Sequence, residues 1–336
     1  MSAVRSLVAL LADPTAAAGL AAEQWTPLIA AARAESLVGA LAHRLDGAAV
    51  PAPVERILGD ARRDHAFART QALWEAEMCR RALAPLGVPV VLLKGTAYAA
   101  AGLPAGIGRS IGDLDILVPR GSLDAVQAAL LGAGWEWVKQ DGYDDLYYRR
   151  WMHELPPLIH RSRDRMIDVH HTILPPTARP TPDPAAMIAD AAELASGLRI
   201  LAPADMVIHA AAHLFADGDL AGGLRNLWDI DRLLRDFGER PGFWQALAAR
   251  ARLHQLDQPV GRALRLAATL YRTPVDRAVA GRARLSDRLF EARLLARNGW
   301  GQPTRKALRL ACYVRSHWLR MPPLMLARHL WVKARR

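Results

Sequence analysis

Residues 113–118 read D-L-D-I-L-V, two acids alternating with apolar residues in a run that ends wholly apolar. Successive side chains of a strand point to opposite faces, so Asp113 and Asp115 share one side while Leu114 and Ile116 share the other. Neighbouring carboxylates repel each other and are costly to place beside apolar residues. An isolated D-x-D is most simply a wet strand face. Here, however, the run follows a connection containing Gly102, Gly106, Gly108 and Gly112 and closes in I-L-V, which is the texture of a core strand. Carboxylates in that setting call for a cation. Hard divalent ions with oxygen ligands suit them, and magnesium takes one or two carboxylates together with substrate phosphates.

A third carboxylate, Asp168, lies in M-I-D-V-H-H-T-I (166–173), a second strand-like run with Ile167 and Val169 beside it. Alone it reads equally well as a strand-edge Asp in an ion pair. Taken together, three Asp residues on two strands describe a two-metal site. One ion would hold a triphosphate, and the other, with Asp168, would activate an attacking hydroxyl.

The surrounding chain divides by texture. Residues 1–86 read as helical; Phe67, Trp74, Met78 and Ala82 fall on one helical face, and Gly87 marks a stop. Val88–Leu93 has the composition of a short buried strand. Residues 121–132 suit a helix, and Trp135–Val138, Leu146–Met152 and Leu155–His160 are weaker strand candidates. Five prolines in 174–184 mark a linker, after which the chain reads as helical to its end. The expected fold is α/β (α+β): a small mixed-sheet core over 87–175, a helical region before it, a helical domain over 185–300 and a basic helical tail over 301–336.

The segments L92-L93-K94-G95, then Arg109, then G112-D113-L114-D115-I116-L117-V118, and finally Ile167-Asp168-Val169-His170, occur in that order. This set resembles the polymerase-β-type nucleotidyltransferases, and more closely the bacterial group labelled uncharacterised nucleotidyltransferases. The resemblance implies a transferase that moves an NMP from an NTP to a hydroxyl or phosphate acceptor with two magnesium ions on Asp113, Asp115 and Asp168. It assigns Gly95 to close backbone approach to a phosphate and Thr96 to donation. It makes Lys94 either a phosphate neutraliser or a solvated strand-end residue. Arg109 becomes a triphosphate or substrate clamp or an ordinary loop arginine, and His170 either a support for Asp168 or a satisfied core histidine. One departure is the turn itself: Gly95-Thr96 stands eighteen positions before Asp113, where such enzymes place Gly-Ser or Gly-Gly about ten to a dozen before.

Composition limits the partners. Hydrophobic residues at 51% and charged residues at 23% mark a folded chain. Cys79 and Cys312 make no C-x-x-C pattern, which argues against a zinc knuckle or disulfide scaffold and fits a cytoplasmic protein. His209 and His213, spaced H-A-A-A-H, lack the Glu of a zinc-protease motif. No P-loop and no G-x-S-x-G is present. Of the +11 net charge, nine positive charges lie in 301–336, which has no Asp or Glu, leaving about +2 for the rest. The acceptor is open at this level: a small molecule, a modified peptide natural product, or a tRNA or protein as in toxin-type transferases. A different class also stays open, a non-catalytic protein that docks on RNA or a membrane surface through its basic tail.

Overall fold

The computed structural model of the protein describes residues 2–139, 151–216 and 219–324, with Leu326 and Trp331. Seven strands form one mixed sheet in the order β3-β4-β5-β2-β1-β7-β6. They are β1 (Val91–Leu92), β2 (Leu114–Leu117), β3 (Trp135–Trp137), β4 (Leu158–His160), β5 (Met166–His170), β6 (Ala192–Glu193) and β7 (Arg199–Ile200). Every residue of β2 is buried, as befits the central strand of a sheet covered on both faces. It pairs antiparallel with β1 and parallel with β5. The strand expected over Leu146–Met152 falls largely outside the described residues.

Helices α1 (Ala3–Ala12), α2 (Ala22–Ala34), α3 (Val38–Arg44) and α4 (Ala52–Leu83) precede the sheet. Within it lie α5 (Lys94–Ala100) and α6 (Leu123–Gly132). After β5 come α7 (Pro184–Ala189), α8 (Pro203–Ala216), α9 (Gly223–Phe237), α10 (Phe243–Leu253), α11 (Asp257–Tyr271), α12 (Arg277–Ala280), α13 (Leu285–Leu294) and α14 (Lys306–Arg320). Leu227, Ile230, Leu234 and Phe237 form the buried stripe of α9, at the three- and four-residue spacing visible in the sequence. Buried apolar side chains from Val4 to Cys312 join into one core.

Phe67, Trp74, Met78 and Ala82 all lie on α4; Phe67 and Trp74 are 66% and 57% exposed, whereas Met78 and Ala82 pack half-buried against the core. One reading of the sequence is corrected. The chain after the linker is not purely helical, because β6 and β7 turn back through Gly197 (φ 77°) and extend the sheet beyond β1. Two-residue strands leave no periodicity to read.

The basic tail is partly docked. Thr177 Oγ1 donates to Arg320 O at 2.6 Å, Arg179 N to Leu319 O at 3.0 Å and Arg315 Nη1 to Phe215 O at 2.8 Å. Cys312, Ser316 and His317 are buried, whereas Arg305, Lys306 and Arg309 face outward. Arg328, Lys333, Arg335 and Arg336 lie outside the described residues. Cys79 and Cys312 are unpaired thiols. Among the described residues no helix is long and apolar enough to cross a membrane.

Candidate active site

The parallel pairing of β2 with β5 sets Asp115 opposite Asp168. Residues in register on neighbouring strands point to the same face, and Asp113, two positions before Asp115, joins them there. Each of the three offers a carboxylate oxygen, and these oxygens lie within 4.8 Å of one another. Asp113 is exposed, Asp168 partly buried and Asp115 fully buried. The three acids read from sequence are therefore brought into one cluster.

Among the described residues, two nitrogens meet Asp115 Oδ1. Lys94 Nζ lies 2.6 Å from its Oδ1, and His170 Nε2 lies 3.1 Å from the same oxygen. Burial by itself would raise the Asp115 pKa, but Lys94 and His170 outweigh it and hold the carboxyl well below its ordinary value. Lys94 is placed at the start of α5 with φ 48°, a left-handed conformation uncommon for a residue with a side chain. Burial pulls its ammonium pKa down; Asp115, then Asp113 and Asp168, more than offset this, so the ammonium stays charged. His170 supports Asp115 rather than Asp168, and its Nδ1 faces Glu154 Oε2 at 3.4 Å. The His153 ring stacks on it at 5.3 Å. His153, Glu154 and His170 thus make a second group with converging ligand atoms. Sequence reading missed Glu154, which reaches the site through an antiparallel bridge to His170, outside any named strand.

Asp168 behaves oppositely. Burial, then the negative charges of Glu154, Asp115 and Asp113, push its pKa up to about 7. In the metal-free protein this acid is uncomfortable when ionised. The crowding of three carboxylates, with an ammonium already drawn onto one of them, fits a site built for hard divalent cations.

This gives a prediction for the metal-free protein. The folded state holds the Asp168 proton up to about pH 7, whereas the unfolded chain releases it near the ordinary 3.8 of an aspartic acid. Between those values the folded state binds more protons, so stability falls as pH rises and the loss is complete above about pH 7. Asp168→Asn should therefore melt higher than wild type at pH 8, by roughly 2 kcal/mol once solvent access is allowed for, and no higher at pH 4. Thermal melts in EDTA at the two pH values measure it; an equal difference at both would contradict the assignment.

The remaining expected residues sit differently from a simple phosphate cradle. Gly95 and Thr96 are buried within α5. A Cβ on Gly95 would run into Arg109 Nη1 and stand 2.8 Å from its Cζ, so this glycine makes room for a guanidinium. Arg109 is itself buried, with Nε donating to Asp229 Oδ2 at 2.8 Å and its Cζ 5.7 Å from the Tyr98 ring centroid. The sequence gives no signal for Asp229, which lies 120 positions away. The glycine-rich connection is fixed from the other side. Gly108, at φ 70°, meets Gly39 of α3 backbone to backbone, and its N–H donates to His65 Nε2 at 3.0 Å.

Two further arginines approach Asp113. Arg165, just before β5, reaches Gly112 O at 3.5 Å with Nη1 and bonds Gln71 Oε1 with Nη2. Arg225, in the first turn of α9, bonds Asn226 Oδ1 at 3.4 Å through Nη2, its one side-chain hydrogen bond among the described residues.

A family profile described as uncharacterised nucleotidyltransferase matches residues 21–272, a span that contains every residue named above for the site. No curated protein matches the chain.

Proposed function

Because the chain belongs to this family of nucleotidyltransferases, we propose that it moves an NMP from an NTP to a hydroxyl or phosphate acceptor, with Asp113, Asp115 and Asp168 as magnesium ligands. The convergence of those three carboxylates within 4.8 Å on one face of the central strand pair carries the reading. Bound magnesium would neutralise triphosphate charge and favour an ionised attacking oxygen.

The chain's own residues then have definite tasks. With a hydroxyl acceptor, the hydroxyl oxygen attacks the α-phosphorus, the bond from that phosphorus to the oxygen bridging to the β-phosphate breaks, and pyrophosphate leaves with the electron pair. Asp168, on the face that carries Asp113 and Asp115, takes the hydroxyl proton. Lys94 keeps a positive charge beside the cluster where a phosphate would meet it. Gly95 and Thr96 act from beneath, shaping α5 and the seat of Arg109. Arg109, tied to Asp229, orders the loop that leads to Asp113. His170 and Glu154 hold Asp115 in place.

The acceptor class we favour is a small molecule or a modified peptide natural product. The test is incubation with each NTP and magnesium, followed by mass spectrometry of candidate acceptors. A gain of one nucleotide mass that EDTA abolishes identifies donor and acceptor together. Absence of any magnesium-dependent NTP binding by the protein would refute the reading.

A further inference from the structure

Guanidinium groups around the site differ in how they are compensated. Arg109 pairs with Asp229, and Arg163 pairs with Glu75. Arg165 and Arg225 have only neutral partners among the described residues, a side-chain amide and a backbone carbonyl for one and a side-chain amide for the other. Both are half-buried, and a guanidinium partly withdrawn from water without an acid opposite it is held at a cost.

Their placement explains what offsets that cost. Arg165 touches the backbone of Gly112, next to Asp113, from the sheet side. Arg225 stands four residues before Asp229 on α9, hence on the same face of that helix, above the ion pair that anchors Arg109. Asp229 Oδ1 is buried without a hydrogen bond, yet Arg225 does not take it. Burial and the Arg109 charge draw the Arg225 pKa down, and Asp229 and Asp113 draw it back, which puts its guanidinium within electrostatic reach of both acids. Asp113 is the most exposed of the three carboxylates, the end of the cluster that a long polyanion meets first.

We propose that Arg165 and Arg225 form a two-sided clamp on the triphosphate of the donor nucleotide, one arm from the sheet and one from the helical region. The planar fork of each guanidinium matches two phosphate oxygens, which an ammonium does not. The assignment rests on the nucleotidyltransferase reading and adds to it the groups that recognise phosphate chain length. It also moves the clamp that the sequence suggested for Arg109 to residues with no acid already in hand.

The experiment measures binding of the α,β-methylene analogues of ATP, GTP, CTP and UTP, and of the matching monophosphates, in the presence of Mn²⁺. Binding of Mn²⁺ alone is followed by electron paramagnetic resonance. Arg225→Gln and Arg165→Gln should each weaken the preferred triphosphate about ten- to a hundredfold, as expected for charge-assisted hydrogen bonds. Monophosphate affinity and Mn²⁺ binding should stay within twofold. Arg225→Lys should recover part of the loss, which a merely structural role would not require. Should Arg225→Gln fail to fold, Arg225→Lys and Arg165→Gln carry the same comparison. Triphosphate affinity unchanged in these variants, with wild type binding normally, overturns the clamp alone. Failure of wild type to bind any of the four analogues overturns the nucleotidyltransferase reading, and the clamp with it.

Discussion

Replacing Asp113, Asp115 or Asp168 by Asn is expected to lower NMP transfer by at least ~10²–10⁴-fold, the range in which a positioned proton acceptor and a metal ligand act. The three variants should differ in everything else. Asp168→Asn removes the carboxylate whose ionised form the fold resists, so the metal-free protein gains stability above neutral pH. Asp115→Asn leaves Lys94 with its ammonium largely buried and its nearest acid gone. Removing one member of such a pair typically costs about 3–5 kcal/mol. Relief of carboxylate repulsion, which the sequence alone suggests for all three, thus holds for Asp168 and reverses for Asp115. Transfer assays at saturating NTP, paired with urea melts in EDTA, separate the two effects. Activity in Asp168→Asn within tenfold of wild type would remove that residue from the mechanism.

Arg109→Ala is expected to destabilise the protein by about 3–5 kcal/mol, because it strands Asp229 as an uncompensated buried charge. A loop arginine reaching for phosphate would instead cost affinity and little stability. Gly95→Ala should act on the same unit, since its methyl would occupy the space of the guanidinium. The pair is therefore expected to be non-additive: in the Arg109→Met background, with Asp229→Leu to remove the orphaned acid, the added methyl should cost far less than it does alone. Urea denaturation of the single and combined variants provides the cycle. A loss below about 1 kcal/mol in Arg109→Ala would return that arginine to the surface and reopen its role as a phosphate ligand.

These examples show which parts of the site were legible. Asp113, Asp115 and Asp168 announce themselves because strand periodicity is two and charges inside apolar runs need a reason. The helix stripe of α9 is equally plain. That Asp115 and Asp168 stand opposite each other follows from the register of two strands whose paired residues are 53 positions apart, which no local pattern encodes. His170 lies on the correct face of β5, yet its partner is Asp115 on the neighbouring strand and not Asp168 on its own. Glu154, Asp229, Arg165 and Arg225 were silent for the same reason. Their residue types are ordinary for surface positions, and only packing across long sequence separations brings them to the site. The Phe67, Trp74, Met78 and Ala82 stripe of α4 shows the limit of spacing: it identifies a helical face without saying how much of it is covered, and here only the Met78 and Ala82 end meets the core.

Gly39 and Gly108 meet with no side chain between them, and a Cβ on Gly39 would overlap Gly108 O. Such a joint has neither padding nor slack. Side chains elsewhere in the protein can trade volume with one another over many substitutions, but here there is nothing to trade, so the seat of the loop on α3 is set by peptide planes alone. Gly108 stands five positions before Asp113, so the N-terminal helices help to seat the loop that leads to the carboxylate cluster and are not only a wrapping around it.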